Sequence, residues 1–301
     1  MTPAQSNLKD VSFSHLFPLE VTRALSYHLT LAVAYTHKQG YVHGDLHLRN
    51  ILVKLPSSLD QLSVEQFYKT HGEPDTVQIT QRDGKPLPPN LPARAVIPLF
   101  LGTDAEEFTL NDARVLLSDS GESLNQTSNP RKGKNCHTPL AVRPPEALFQ
   151  PEAPLSFSAD IWSLATSIWE ILGMKAIFSS EYSSADELAP QQIDILGPVP
   201  QHWWDQWKER GEFFDLNGRP VEGRYVWPPM EQAFKEGIQK YGRLGQLGEY
   251  GKDETDAILD LMRRMFAFRP EDQPTAEEVL RSEWMVKWCL PDFERGLHLS
   301  R

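Results

Sequence analysis

Apolar side chains recur at helical spacing in two parts of the chain that differ in how much of the helix they cover. Residues 18 to 39 repeat apolar side chains along one face, Pro18 suits the first turn and Gly40 follows, which predicts an amphipathic helix. Residues 156 to 172 are apolar nearly all round, with Ser158 as the expected N-cap. A helix of that kind lies in the middle of a core, so we expect this segment to be the centre of the fold.

The back half of the chain is predicted to be mostly helical. Thr275 precedes two glutamates in the arrangement typical of a capped helix start. The same periodicity predicts helices over residues 229 to 241, 254 to 267 and 275 to 288.

Short apolar runs in the front half predict strands. "NILVKL" directly follows the polar stretch "YVHGDLHLRN", and "ARVLLSDSGES" runs from an apolar strand into a polar turn. Between them, residues 56 to 109 contain many prolines and an Asp-Gly turn signal, which breaks any long element. We expect a partly ordered insertion here and not a separate domain. Within it, "RAVIPLFLG" could form a strand that Pro98 keeps at an edge.

Composition excludes several classes of protein. The 301 residues carry a net charge of -11, which argues against general binding to nucleic acid or anionic membranes. Cys136 and Cys289 are too few for a disulfide framework, so a reducing compartment is expected. No apolar run reaches the length of a membrane span, and the first residues lack the apolar core of a signal peptide.

Three polar residues could perform phosphoryl transfer. Asp45 and Asn50 lie five apart in a helix-to-strand turn, where an Asp can accept a hydroxyl proton and an Asn can bind a metal ion. Asp119 ends the second strand and precedes a glycine two residues on, a suitable place for a Mg²⁺ ligand. The pattern His43, Asp45, His47 also allows a metal cluster, although no second group of ligands lies near it in the sequence.

The order of motifs along the chain gives these residues a context. "HGDLHLRN", "SDSGES", "RPPEALF", "SADIWSLATSIWEILG" and "FRPEDQPTAEEVL" follow one another. This run, over residues 18 to 290, resembles a eukaryotic protein kinase and is similar in particular to fungal kinases related to the SR-protein kinases. That group also has a long insertion before the metal-binding Asp, and its "LGPVP" and "WW" segment is matched by Leu196 to Pro200 and by Trp203-Trp204.

The resemblance implies an α+β fold: the mainly helical C-terminal lobe of a protein kinase, with short strands around the catalytic loop. It implies that residues 1 to 301 form one kinase-like domain that contains the insertion over 56 to 109. Its activity would be transfer of the γ-phosphoryl group of ATP to a Ser or Thr hydroxyl of a protein, with ATP and Mg²⁺ as cofactors.

Residue roles follow from the same resemblance. Asp45 matches the catalytic Asp, and Asn50 and Asp119 match the Mg²⁺ ligands beside the nucleotide. Glu146 matches the Glu of the Ala-Pro-Glu motif, and Asp160 matches the Asp of the central helix that anchors the backbone of the catalytic loop. Both of these are expected to be structural. Thr138 and its neighbours lie where a protein substrate would be read.

The chain departs from the kinase pattern before His43. The first 42 residues are expected to hold one helix and an arm, without a glycine-rich loop, a Val-Ala-x-Lys strand or a Glu-bearing helix. The N-terminal lobe that normally covers ATP is therefore expected to be absent from this sequence.

Four single positions also depart from the pattern. Gly44 replaces an Arg that normally binds a phosphate on the activation segment, so such regulation is not expected. His47 replaces a Lys that touches the transferred phosphate, and Ser120 replaces a Phe. Gln273 replaces the Arg that normally pairs with Glu146, and a nearby cation such as Arg143 could offset part of the loss.

Alternatives to a protein kinase remain open from the sequence alone. The chain could be a catalytically inactive binding module of the pseudokinase type or a fragment of a longer kinase. More remotely, His-Gly-Asp also occurs in small-molecule phosphotransferases of the aminoglycoside type. The expected partner is a protein substrate, possibly Arg-rich, with no direct binding to nucleic acid and no membrane. The expected compartment is the cytoplasm or the nucleus, and the oligomeric state stays open.

Overall fold

The computed structural model describes residues 4–13, 15–55, 59, 61–173, 175–179 and 184–299. In this part of the chain it is a mixed α and β structure in which helices predominate. No helix in it combines the length and the apolar content needed to cross a membrane.

The chain begins with more structure than one helix and an arm. Strand β1 (Ala4–Asn7) leads into the one-turn helix α1 (Leu8–Val11), which Asn7 caps through its side chain. Helix α2 (Leu19–Lys38) follows, with Pro18 at its N-cap position, and confirms the first predicted helix. The expectation of one helix and an arm was incomplete, because the arm contains a strand and a one-turn helix whose Leu8 and Val11 are fully buried in the main core.

Two short strands flank the loop that carries Asp45. Strand β2 (Tyr41–Val42) precedes it and β3 (Ile51–Lys54) follows it, and a 3₁₀ turn (Leu48–Asn50) lies directly before β3. The predicted strand in "NILVKL" is therefore confirmed.

The stretch between β3 and Asp119 contains ordered elements of its own. Helix α3 (Val64–His71) starts with a capping box at Ser63, and β4 (Thr76–Gln78) pairs antiparallel with β5 (Arg94–Val96). The predicted strand in "RAVIPLFLG" is confirmed only in part, because β5 ends before Pro98. The prolines that follow cannot donate the hydrogen bonds of a strand.

Two further strands complete the sheets that support the loop. Strand β6 (Val115–Leu117) pairs antiparallel with β3, with Ile51 opposite Leu117, and β1 pairs with the other edge of β3. The order of this sheet is β1-β3-β6. Strand β7 (Leu124–Asn125) pairs with β2. These pairings bring the two ends of the long stretch between residues 54 and 115 together next to the loop that carries Asp45.

The centre of the fold is a buried helix. After the one-turn helix α4 (Glu146–Phe149), helix α5 (Phe157–Leu172) runs through the core, and all its side chains except Phe157 and Glu170 are buried. This confirms the predicted central helix. The predicted cap was wrong: Ser156 occupies the N-cap position, and Ser158 lies inside the first turn with its hydroxyl bonded to Ser156 Oγ.

The remaining helices follow the predicted segments with shifted ends. The stretch predicted over 229–241 continues to Leu244 through a π-helical turn (Lys235–Gln239), and the helix predicted over 254–267 runs two residues earlier at both ends. The segment predicted over 275–288 is divided after Leu280 and continues in a π-helical turn (Met285–Cys289), while Thr275 forms the expected capping box with Glu278. The helices are α6 (Ala185–Leu196), α7 (Gln201–Gln206), α8 (Met230–Phe234), α9 (Lys240–Leu244), α10 (Lys252–Met265), α11 (Ala276–Leu280) and α12 (Leu290–Leu299).

Aromatic side chains fill the core around α5. Trp162 is fully buried, stacks on Phe178 with ring centroids 5.7 Å apart and meets Phe266 edge to face at 5.0 Å. A second aromatic cluster joins α4 to α7, where Phe149 stacks on Trp203 with centroids 5.1 Å apart. Burial of such large rings dominates core energetics, so the two clusters fix α4 and α5 in the structure.

One buried ion pair holds the loop that precedes α8. Asp194 at the end of α6 binds both terminal nitrogens of Arg224 at 2.8 and 2.9 Å and also accepts from the peptide N–H of Trp227 at 3.0 Å. The exposed fractions of the two side chains are only 5% and 11%. Removing one member of such a pair leaves the other charge buried without compensation.

We therefore expect Asp194→Ala to lower the free energy of unfolding by about 3–5 kcal/mol, measured by urea unfolding. The control is Glu249→Ala, which removes an exposed ion pair with Arg243 and should change stability by less than about 1 kcal/mol. Equal small changes in both variants would show that the Asp194 pair contributes no more than a surface contact.

Candidate active site

The polar loop between β2 and β3 holds Asp45 and Asn50 against each other. The Asn50 side-chain amide donates to the Asp45 peptide carbonyl at 2.9 Å and to Asp45 Oδ2 at 3.0 Å. Asn50 is buried, so these two hydrogen bonds fix both the loop backbone and the plane of the carboxylate. The structure thus brings together the first two residues that the sequence singled out.

Asp45 Oδ1, the other carboxylate oxygen, is shielded from solvent and accepts no hydrogen bond from any described residue. The nearest cation-forming group is His47, whose Nε2 lies 3.5 Å away. A buried acceptor without a donor is unfavourable, and groups of this kind concentrate where a ligand completes the site. A substrate hydroxyl is one donor that could complete it.

The pairing of β3 with β6 brings Asp119 to the same end of the sheet. Ser118 donates to the Asn50 carbonyl from both its peptide N–H and its hydroxyl, each at 2.9 Å. Asp119 is the next residue and therefore lies one position beyond the residue bonded to Asn50. Its side chain is exposed and makes no ion pair with any described residue.

Asp119 has a left-handed backbone, with φ 58° and ψ 60°, and begins the 3₁₀ turn Ser120–Glu122. An Asp tolerates this region better than most residues, but the conformation is still disfavoured. Gly121 follows so closely that a Cβ there would lie 3.3 Å from Asp119 Oδ1. Strain of this kind is often found at functional sites, where the surrounding structure enforces it.

Asp160 on α5 anchors the backbone of the loop that carries Asp45, as the resemblance to kinases implied. Its Oδ2 accepts from the peptide N–H of His43 at 2.6 Å, and its Oδ1 accepts from that of Gly44 at 2.9 Å. The ring of His37, at the end of α2, bonds to the same Oδ2 at 2.9 Å. The side chain of Asp160 is 1% exposed, so these bonds form away from water and the carboxylate is fully engaged.

His43 is a packed residue. It is buried, and its Nε2 bonds to the Ser118 carbonyl at 2.9 Å, which ties the loop that carries Asp45 to the end of β6. Among the described residues, no group of three His, Cys, Asp or Glu side chains has an arrangement that would hold a metal ion.

Gly44 is explained by the backbone. Its φ is +78°, and a Cβ would lie 2.8 Å from the peptide oxygen of Glu122. The position where kinases usually carry Arg therefore has room only for glycine in this structure. Its carbonyl accepts from the buried hydroxyl of Thr138 at 2.8 Å, so Thr138, expected at a surface that reads substrate, instead ties that segment to the loop.

His47 replaces a permanent cation with a titratable ring. Burial lowers the pKa of His47, and the neighbouring Asp45 carboxylate opposes only part of that shift. The ring is therefore mainly neutral near pH 7. A phosphate placed beside it would meet a hydrogen-bonding group and not the fixed positive charge of a Lys.

The donor set fits Mg²⁺. Mg²⁺ prefers oxygen ligands, and Asp119 offers an exposed carboxylate. The Asn50 amide directs its nitrogen at Asp45, and no described residue donates to its Oδ1, so that oxygen is free to bind a cation. Asn50 and Asp119 are the residues that would hold the ion.

Several contacts of the site were not predicted from the sequence. His37 and Asp160 are 123 positions apart, and Thr138 and Gly44 are 94 apart, so neither pair has a local spacing signal. The Glu122 carboxylate binds Arg131 at 2.7 Å and His137 at 2.8 Å. These three residues lie within one segment, but no sequence motif predicts their contacts.

Gln273 and Arg143, which were expected beside Glu146, form hydrogen bonds with other residues. The Gln273 amide donates to the Ala267 carbonyl at 2.9 Å, and Arg143 Nε donates to the Thr138 carbonyl at 2.8 Å. Neither bonds to Glu146, whose two carboxylate oxygens accept no hydrogen bond of ordinary geometry from a described residue.

Known proteins with similar sequences are protein kinases. The serine/threonine-protein kinase AFC3 of Arabidopsis thaliana is 25% identical over 275 residues, which cover 88% of this chain and 56% of that protein. The dual specificity protein kinase lkh1 of Schizosaccharomyces pombe is 23% identical over 268 residues, or 88% of this chain and 32% of that protein. No protein-family model matches the chain.

A further relative, the serine/threonine-protein kinase AFC1 of Arabidopsis thaliana, is 22% identical over 288 residues, which cover 94% of this chain and 53% of that protein. The chain thus spans about half the length of these relatives or less. Their similarity supports a relationship to protein kinases, and the mixed, mainly helical fold is compatible with it.

The anchor at Asp160 allows a direct test of the site's architecture. Asp160→Ala removes the acceptor of two buried peptide N–H groups, each of which is destabilising by about 1–3 kcal/mol when left unpaired. We expect a total loss of about 3 kcal/mol in urea unfolding and faster amide exchange at His43 and Gly44. Asp256→Ala, which changes an exposed carboxylate of α10, is the control. A loss below about 1 kcal/mol would show that the loop does not depend on Asp160.

Proposed function

We propose that this chain carries the catalytic loop of a protein serine/threonine kinase, which transfers the γ-phosphoryl group of ATP to a protein hydroxyl. The observation that supports this best is the Asp45–Asn50 unit: one amide orients the carboxylate through its nitrogen while its oxygen remains free for a cation. Asp119 directly follows Ser118, which donates two hydrogen bonds to the Asn50 carbonyl.

In this proposal each residue has a separate task. Asp45 orients the substrate hydroxyl and accepts its proton as the phosphoryl group arrives. Asn50 and Asp119 hold Mg²⁺, which would neutralise the charge on the phosphate oxygens. Asp160 positions the loop without contacting substrate.

The substrate class is part of the proposal. A net charge of -11 favours a basic protein segment, and the resemblance to kinases related to the SR-protein kinases favours one rich in Arg. We further propose that residues 1–301 do not include the N-terminal lobe that covers the nucleotide in kinases, and that the protein acts in the cytoplasm or the nucleus.

A binding module without ATP chemistry is the second candidate. The observation that favours it is the loss of fixed cations near the site, with His47 in the place of a Lys and Gly44 in the place of an Arg. Such a module would bind the peptide but transfer no phosphate.

The test measures transfer of radiolabelled phosphate from ATP and Mg²⁺ by the purified protein. The probes are a Ser-Arg repeat peptide, a Ser-containing acidic peptide and an aminoglycoside. We expect transfer to the Ser-Arg peptide, and a reduction of turnover by about 10²-fold or more in Asp45→Asn, the size typical of a positioned acid–base group. Asp119→Asn should likewise reduce turnover and raise the Mg²⁺ concentration needed for half-maximal rate.

Asp256→Asn is the matched control for both Asp variants and should leave turnover unchanged. Full activity of Asp45→Asn would remove Asp45 from its role. Binding of the peptide without any transfer would favour the binding module, and transfer only to the aminoglycoside would favour a small-molecule phosphotransferase.

A further inference from the structure

Glu146 is a buried carboxyl group without a partner. It is the first residue of α4 and only 5% exposed, and neither of its carboxylate oxygens accepts a hydrogen bond of ordinary geometry from a described residue. Buried polar groups are nearly always satisfied, so an unpartnered pair of carboxylate oxygens requires a physical explanation. The simplest is that the carboxyl group is held in its neutral, protonated form.

The charged groups around Glu146 are all engaged elsewhere. On its own segment, Arg143 donates to Thr138, and Lys134, in the turn against which α4 packs, pairs with Glu152. On α5, Asp160 is bonded to the catalytic loop. Gln273 is uncharged and bonds to Ala267. No described cation therefore compensates an ionised Glu146.

The pKa of Glu146 is consistent with this geometry. Burial raises it to about 7, and the peptide N–H of Glu146 and the hydroxyl of Ser158 oppose only part of that rise. No charged neighbour contributes to the shift. The group therefore titrates near neutral pH, far above the ordinary range of a Glu.

The elements joined at Glu146 connect the core to the catalytic loop. Gly133 packs so closely that a Cβ on it would lie 3.0 Å from Ala147 Cα, and Phe149 stacks on Trp203. In the other direction along the chain, the Thr138 hydroxyl bonds to the Gly44 carbonyl, one residue before Asp45. A change in how α4 packs would therefore reach the loop through residues 133–149.

We propose that Glu146 is a proton-controlled latch for the segment 133–149: the segment packs on α5 while the carboxyl group is neutral and loosens when it ionises. The proton leaves the carboxyl group to water, and the ionised group gains hydration only when α4 opens. The latch requires no ligand, metal or catalytic activity.

The direction of the pH effect follows from linkage. The folded protein binds this proton more tightly than the opened segment, because the folded pKa lies above the ordinary value of 4.5. The stabilisation is therefore complete below about pH 4.5 and is lost as the pH rises towards about 7. Above that, the opening equilibrium no longer depends on this group.

The experiment measures hydrogen exchange of peptides covering 133–149 between pH 5.5 and 7, corrected for the intrinsic pH dependence of exchange. In the wild-type protein, the opening constant should rise about tenfold across this range, because the proton is released on opening. In Glu146→Gln, which keeps the shape but cannot ionise, it should stay constant and low. Glu152→Gln, three residues beyond the segment and exposed at the surface, is the control and should respond as the wild type does.

The proposal is overturned by an opening constant that does not change with pH in the wild type, or by the same rise in Glu146→Gln. If Glu146→Gln does not fold, the wild-type series decides alone. A rise confined to residues 133–149 supports the latch, and an equal rise in the peptides of α10 overturns it, because the effect would then be global.

Discussion

The carboxylate of Asp160 is the interaction on which the candidate site depends. It is buried in the middle of the core, on a helix enclosed by aromatic rings, and it accepts the peptide N–H groups of His43 and Gly44. Those two N–H groups would otherwise lose their hydrogen bonds to water with nothing in return. The central helix therefore fixes the position of the loop backbone at His43 and Gly44. Asn50 then fixes the side chain of Asp45 within the loop. Two hydrogen bonds of Asp160 and two of Asn50 thus connect the central helix to the Asp45 carboxylate.

What the sequence predicted well were features with a strong local pattern or an ordered set of motifs. A helix that is apolar on every side has only one stable location, so α5 could be placed in the core before its contacts were known. The role of Asp160 as an anchor of the loop backbone was predicted from the order of motifs. That role does not depend on the nearby positions that depart from the kinase pattern. Thr275 and Glu278 form the capping box that their spacing indicated.

What the sequence could not predict depends on contacts between distant residues. The π-helical turn at Lys235–Gln239 has no signal in apolar periodicity, and the bond from Thr138 to Gly44 joins two segments that approach only in the folded chain. Gly44 was visible as a departure from the kinase pattern, but its cause was not. The cause is the peptide oxygen of Glu122, whose position is set by the pairing of β2 with β7. The hydrogen bonds that take Gln273 to Ala267 and Arg143 to Thr138, away from Glu146, were missed for the same reason.

Three of the departures from the kinase pattern remove a fixed cation, and the structure responds to each in a different way. At Gly44 the lost side chain allows a left-handed turn that brings the backbone against Glu122. At His47 a mainly neutral ring lies near Asp45, so less positive charge faces the place where phosphate would lie. At Gln273 the neutral amide bonds to Ala267, and burial raises the pKa of the nearby Glu146 carboxyl group to about 7. Arg and Lys of the kinase pattern are replaced at positions 44 and 47, close to Asp45, so a bound divalent ion would supply most of the positive charge there. The chemistry of the site would then depend on that ion more strongly than in a kinase that keeps these cations.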